Sequence, residues 1–221
     1  MHRFCRLPLG VLAALLLAGP VSARVLDYRI DPVHTQVLFS VDHDGYSHPV
    51  GRMRIKAGWL RFDEDDWSTA KVVVDVDTAS VDLGDKEWND AVTDKRFMDA
   101  KDFPLAHFES TSVEKTDARN GVLHGNLSLR GVTREIAIPL VVNRVGFTIF
   151  GTQTLAGFSG HTTLDRLQFG MSAFPKAVGQ QVEVRLELEA VLDQDAQKQY
   201  QAARGASPNA NKDASDAAAQ H

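Results

Sequence analysis

An all-β fold follows from three features of this sequence. Apolar and polar residues alternate through many short segments, a single stretch has helical spacing, and too few helices remain to cover a sheet. About eight strands of this kind fit a sandwich or a closed barrel, and closure removes the unpaired edges.

Each element can be read in turn. Val37, Phe39 and Val41 alternate with Leu38, Ser40 and Asp42, which gives a half-buried strand with an aromatic on its inner side. Met53 and Ile55 alternate with Arg52, Arg54 and Lys56. Gly58 interrupts that register before Leu60 and Phe62 resume it, so a bulge or bend is expected there. Asp63 to Asp66 closes the strand as an acidic turn, and Val72, Val74 and Val76 form the next inner face. Asp85 to Met98 is the one helical candidate, with Trp88, Ala91 and Val92 on one stripe. Pro104 opens a strand in which Ala106 and Phe108 share a face. Leu123, Leu127 and Leu129 then pair with Ile136, Ile138, Leu140 and Val142 in a hairpin turned at Gly131-Val132-Thr133. Phe158, Thr162 and Leu164 lie on a Gly-rich strand. Val182, Val184, Leu186, Leu188 and Ala190 form the last, with Glu183, Arg185, Glu187 and Glu189 on its wet face.

Three regions follow from composition. Arg3 and Arg6, the apolar run Leu7 to Ala18 and the small residues Val21-Ser22-Ala23 form a secretory signal peptide over residues 1–23, which implies a periplasmic destination. Residues 24–192 form one domain, and residues 193–221 are a polar, disordered tail, with a few helical turns allowed between Asp193 and Arg204. Cys5, the single cysteine, falls in the leader, so the mature domain has neither a disulfide nor a thiolate site. Loss of the two leader arginines takes the net charge from −5 to −7, which argues against nucleic acid as a partner.

Several ordered motifs stand out: Asp31-Pro32-Val33-His34-Thr35; Gly51 with Met53, Gly58, Leu60, Phe62 and Asp63; Phe97, Asp99, Phe103-Pro104, Phe108 and Ser110. Gly125, Leu127, Leu129 and Gly131-Val132-Thr133 follow, then Gly157-Phe158 and Arg166-Leu167-Gln168-Phe169-Gly170. As an ordered set over residues 25–192 they resemble the YceI-like family. The resemblance implies an extended antiparallel eight-stranded barrel of lipocalin type, and a polyisoprenoid or polyisoprenoid quinone held along its axis. Met98 stands where relatives often carry a second Phe. Segment 143–156 is plainer than the family pattern, and the polar tail lies outside it.

The chemistry-bearing residues weigh toward binding. His34, His43 and His48 with Asp42 and Asp44 lack convergent metal-ligand spacing, so no metal is expected. A Gly-x-Ser-x-Gly elbow is missing, and Asp63 to Asp66 lacks the Gly and distal Glu of a calcium loop. No catalytic residue and no cofactor are assigned. The inner faces alone favour a packed core over a cavity, since oily strand faces usually pack each other. With the resemblance, Val37, Phe39, Val41, His43, Met53, Phe62 and Val74 become candidate ligand-binding residues. So do Phe108, Leu127, Phe158 and Phe169, and Trp88 and Phe97 in a lid spanning Asp85 to Phe103. The expected role is carriage or sequestration of an isoprenoid-like lipid, with transient membrane contact and a homodimer left open. The alternatives are a lipid- or quinone-modifying enzyme using His34 and His43, and a stress protein with a filled barrel.

Overall fold

The computed structural model describes residues 25–149 and 151–206, so the leader at 1–23 and the tail from 207 lie outside the described residues. Nine strands form one antiparallel sheet: β1 Leu26–Ile30, β2 Gln36–His43, β3 Val50–Phe62, β4 Lys71–Asp82, β5 Leu105–Lys115, β6 Asn120–Leu129, β7 Val132–Thr148, β8 Gln153–Asp165 and β9 Val178–Leu192. From β2 to β9 each strand pairs with the next, and β9 pairs back with β2, so eight strands close into a ring. β1 is the strand that sequence reading did not separate. It pairs with β3 through Tyr28↔Leu60 and with β9 through Tyr28↔Leu192, and so fills the seam beyond the start of β2.

The inward alternation holds along the ring. On β9, Glu183, Arg185 and Glu189 are exposed while Val182, Val184 and Leu188 are not. Two local expectations shift. β3 runs unbroken through Gly58, and its register irregularities against β4 lie between Arg52 and Arg54 and between Ile55 and Ala57. Gly58 itself serves close packing, because a Cβ there would sit 2.7 Å from Ile30 Cδ1 and 2.9 Å from the Val73 carbonyl oxygen. The β6–β7 hairpin turns at Arg130-Gly131, both at positive φ, and Val132 already pairs with Leu129. Two residues of positive φ give a tight turn matched to sheet twist.

The helix is shorter than its spacing suggested. α1 covers Lys86–Thr93, capped by Asp85, whose side chain accepts from the backbone N–H of Glu87 and Trp88. Residues 94–104 continue as hydrogen-bonded turns, with Met98 N–H donating to the Val92 carbonyl at 3.0 Å and Ala100 N–H to that of Thr93 at 3.0 Å.

The polar segment after Leu192 is also more ordered at its start than expected. α2, Ala196–Gly205, docks on the outside of the ring, with Ala196 and Tyr200 buried against Trp59 and Val73. The Tyr200 hydroxyl donates to Asp75 Oδ2 at 2.8 Å, and Asp75 Oδ1 lies 2.7 Å from His107 Nδ1. Asp75 is buried, so these two partners satisfy a carboxylate that would otherwise be costly there. Composition allowed helical turns between Asp193 and Arg204 but gave no sign of their docking, because only two of the helix's side chains, at i and i+4, are buried.

One end of the ring is filled. Phe62 meets Trp67 edge-on at 5.4 Å and Phe158 edge-on at 5.1 Å. Trp67 sits on a 3-10 turn at Trp67–Thr69, its indole N–H donating to the Glu64 carbonyl at 3.1 Å. A Cβ on Gly121 would fall 2.6 Å from the Trp67 ring, so glycine there makes room for the plug.

Candidate ligand-binding cavity

Beyond that plug the ring is hollow. A cavity of about 530 Å³ runs from the strand interior to the end carrying α1, the β2–β3 turn and the β8–β9 connection. That is within the range of small-molecule sites. β2 lines it with Val37, Phe39, Val41 and His43. Met53 of β3, Val74 of β4, Phe108 of β5 and Leu127 of β6 continue the wall. Phe169 enters from the 3-10 turn Arg166–Phe169, and Trp88 and Phe97 enter from α1 and the turns after it.

Phe62 and Phe158 do not line the cavity. They belong to the aromatic plug, packed on each other. Period-two alternation identifies the inward face of a strand but says nothing of depth along the axis, so residues of the filled and hollow halves look alike in sequence.

Glycines keep the lumen open. Phe39 lies against Gly51 on the neighbouring strand, where a Cβ would come within 2.3 Å of the Phe39 ring. Phe108 lies against Gly125, where the corresponding distance is 2.5 Å. Each ring therefore rests on bare backbone instead of projecting across the axis.

Sequence reading missed several wall residues. Phe174 sits in the β8–β9 connection, where no period marks it, yet it lines the mouth. It is 52 % exposed and at φ +49°, a conformation that is costly for a bulky side chain. Its ring stacks on Phe97 with centroids 6.2 Å apart. Arg96 lies over the outer face of this pair, 5.7 Å from the Phe174 centroid, and Arg166 lies 5.9 Å from that of Phe97. Arg166 was visible as the first residue of Arg-Leu-Gln-Phe-Gly, but nothing marked it as a wall residue. It is 3 % exposed and lines a predominantly apolar cavity.

Across the mouth, His43 and Trp88 rings meet at 5.2 Å. The Asp85-to-Phe103 segment is held by buried Met98 and Ala100 and by a few hydrogen bonds to the ring. Thr78 Oγ1 donates to the Phe103 carbonyl at 2.7 Å, and Arg130 Nη2 to the Lys95 carbonyl at 2.9 Å.

The other histidines are dispersed. His34 Nδ1 lies 2.8 Å from Asp31 Oδ2, outside the cavity, and that contact raises its pKa while lowering that of Asp31. His48 lies 3.7 Å from Asp42 on the surface. His34 precedes β2 and His43 ends it, so strand rise alone separates them by more than about 20 Å. They cannot act on one reacting atom. Among the described residues no group of three His, Cys, Asp or Glu side chains is placed to hold a metal.

Comparison with known proteins agrees with this architecture. Residues 28–190 match the YceI-like domain. A UPF0312 protein of Shewanella baltica is 35 % identical over 185 residues, covering 83 % of this chain and 96 % of that protein. BcnA of Burkholderia cenocepacia shares the fold with a TM-score of 0.65 at 23 % identity, over 73 % of this chain and 99 % of that one. A polyisoprenoid binding domain of Saccharophagus degradans superposes with a TM-score of 0.55 at 14 % identity, over 76 % and 99 % of the two chains.

Proposed function

Since the chain belongs to the YceI-like family, we propose that its cavity binds the tail of an isoprenoid-like lipid or quinone, and that the protein carries or sequesters this lipid in the periplasm. The observation that carries the reading is the apolar cavity of about 530 Å³, open at one end and plugged at the other. A tail fits with its end toward Phe62 and Phe158 and its head at the mouth. Relatives of the same fold lend support: one neighbour is a polyisoprenoid binding domain.

The mechanism is burial. A tail hiding roughly 500 Å² gains about 12 kcal/mol gross at ~25 cal/mol per Å². Ordering and immobilisation offset a large part of that. No bond is made or broken, and exchange depends on movement of the segment from Asp85 to Phe103. Tyr46, Val50, Trp88 and Phe174 expose apolar surface around the mouth, which suits transient contact with a membrane during loading. Binding is favoured over catalysis because, among the described residues, His43 is the one histidine at the cavity, and it faces the Trp88 ring with Arg166 as the other titratable side chain in the wall.

The test is retention of geranylgeraniol through gel filtration by the wild type and by Phe108→Asp. An unpaired carboxylate in an apolar wall is costly. A folded Phe108→Asp chain, verified by circular dichroism, should retain none. Normal retention would place that face outside the site.

A further inference from the structure

Arg166 is a buried cation that no carboxylate contacts as an ion pair among the described residues, with the charge of neighbouring Asp165 acting on it only through space. Its Nε donates to the Gly179 carbonyl at 2.8 Å, its Nη2 to that of Val178 at 2.7 Å, and its Nη1 to that of Met171. Carbonyl dipoles satisfy donors but carry no net charge, and each terminal nitrogen keeps a second N–H. Burial draws the guanidinium pKa down from its ordinary value, as desolvation of a cation must.

The position of this charge is informative. The Phe97 ring, itself stacked on Phe174, lies over it, and its carbonyl partners are Met171 in the β8–β9 connection at the mouth and Val178 and Gly179 at the start of β9. An anionic oxygen placed there would meet a desolvated guanidinium, where charge-assisted bonds are strong. Apart from His43, Thr35 and Thr162, the remainder of the wall is apolar and offers a tail contact surface.

We propose that Arg166 is a headgroup site, and that the cavity prefers an isoprenoid carrying an anionic phosphate-type head over a neutral isoprenoid with the same tail. This rests on the lipid-binding reading above. The shared chemistry is a phosphate oxygen, which a free phosphate also presents but without a tail to bury, so both sources enter the test.

The full chain is titrated by calorimetry with geranylgeranyl monophosphate, with geranylgeraniol and with inorganic phosphate. The monophosphate should bind at least tenfold more tightly than the alcohol, and inorganic phosphate should give no measurable heat. Arg166→Gln should bring the two lipids to equal affinity, chiefly by weakening the monophosphate. Arg166→Gln removes a side chain that ties three carbonyls together and can fail to fold. The wild-type comparison stands independently of it. Equal binding of both lipids by the wild type overturns the headgroup site and leaves the lipid-binding reading intact. Binding of neither lipid overturns both. Inorganic phosphate binding as tightly as the monophosphate overturns the headgroup assignment in favour of a plain anion site.

Discussion

The Phe97 and Phe174 rings stack with centroids 6.2 Å apart, one from the turns after α1 and the other from the β8–β9 connection. They join two segments that no strand pairing links, across the open end of the ring. Phe174 holds this position at φ +49°, so its backbone is strained where the ring makes contact.

Phe174→Gly removes the ring and the strain together. Relief of a left-handed backbone, about 1–3 kcal/mol, works against loss of the stacking contact. The thermal midpoint should therefore change little. Lipid release should accelerate several-fold in a stopped-flow chase, with uptake less affected, since affinity changes appear mostly in the off-rate. Unchanged release would make the stack a packing contact and not a gate.

Gly51→Ala tests how the lumen is kept open. The added Cβ would fall 2.3 Å from the Phe39 ring and 2.9 Å from Leu83, both side chains that can move. Phe39 should swing toward the axis. Affinity for geranylgeraniol should fall at least tenfold, about 1.4 kcal/mol. Unaltered affinity would show that the wall accommodates the methyl without closing the cavity.

Phe62→Ala separates plug from cavity. Phe62 is buried against Trp67 and Phe158 at the filled end. Its truncation should cost about 3–5 kcal/mol in urea unfolding, as for other buried aromatics. The folded fraction should still bind lipid. A large loss of binding with little loss of stability would extend the cavity to this end.

Tyr200→Phe removes one donor from the buried Asp75 carboxylate, with His107 and, at 4.0 Å, Arg204 remaining as partners. The expected cost is about 1–3 kcal/mol, because a desolvated acceptor is left short of a partner. Lipid affinity should not change, since Asp75 and Tyr200 lie on the outer face, away from the cavity wall.

The fold was legible because alternation such as Val37, Phe39, Val41 against Leu38, Ser40, Asp42 persists through most strands. β1 escaped because Leu26, Asp27 and Tyr28 show burial in succession, Asp27 being held by Arg61. Within the site, the aromatic residues Trp88, Phe97 and Phe169 outside the strands were found along with part of each strand's inner face. Phe174 and Arg166 act through tertiary placement that no local pattern encodes. Phe62 and Phe158 were assigned to the cavity because facing inward is a local property, whereas a plug formed by Trp67 is a long-range one.

The extent and boundaries of the hollow half rest on side chains that sequence alone could equally have packed together. Organic extraction of the purified full chain, followed by mass spectrometry of the extract, tests occupancy directly. One isoprenoid lipid or quinone per chain, lost from a folded Phe108→Asp variant, is the expected result. An extract empty of lipid, or one holding the same lipid in wild type and variant, would contradict a lipid-binding cavity.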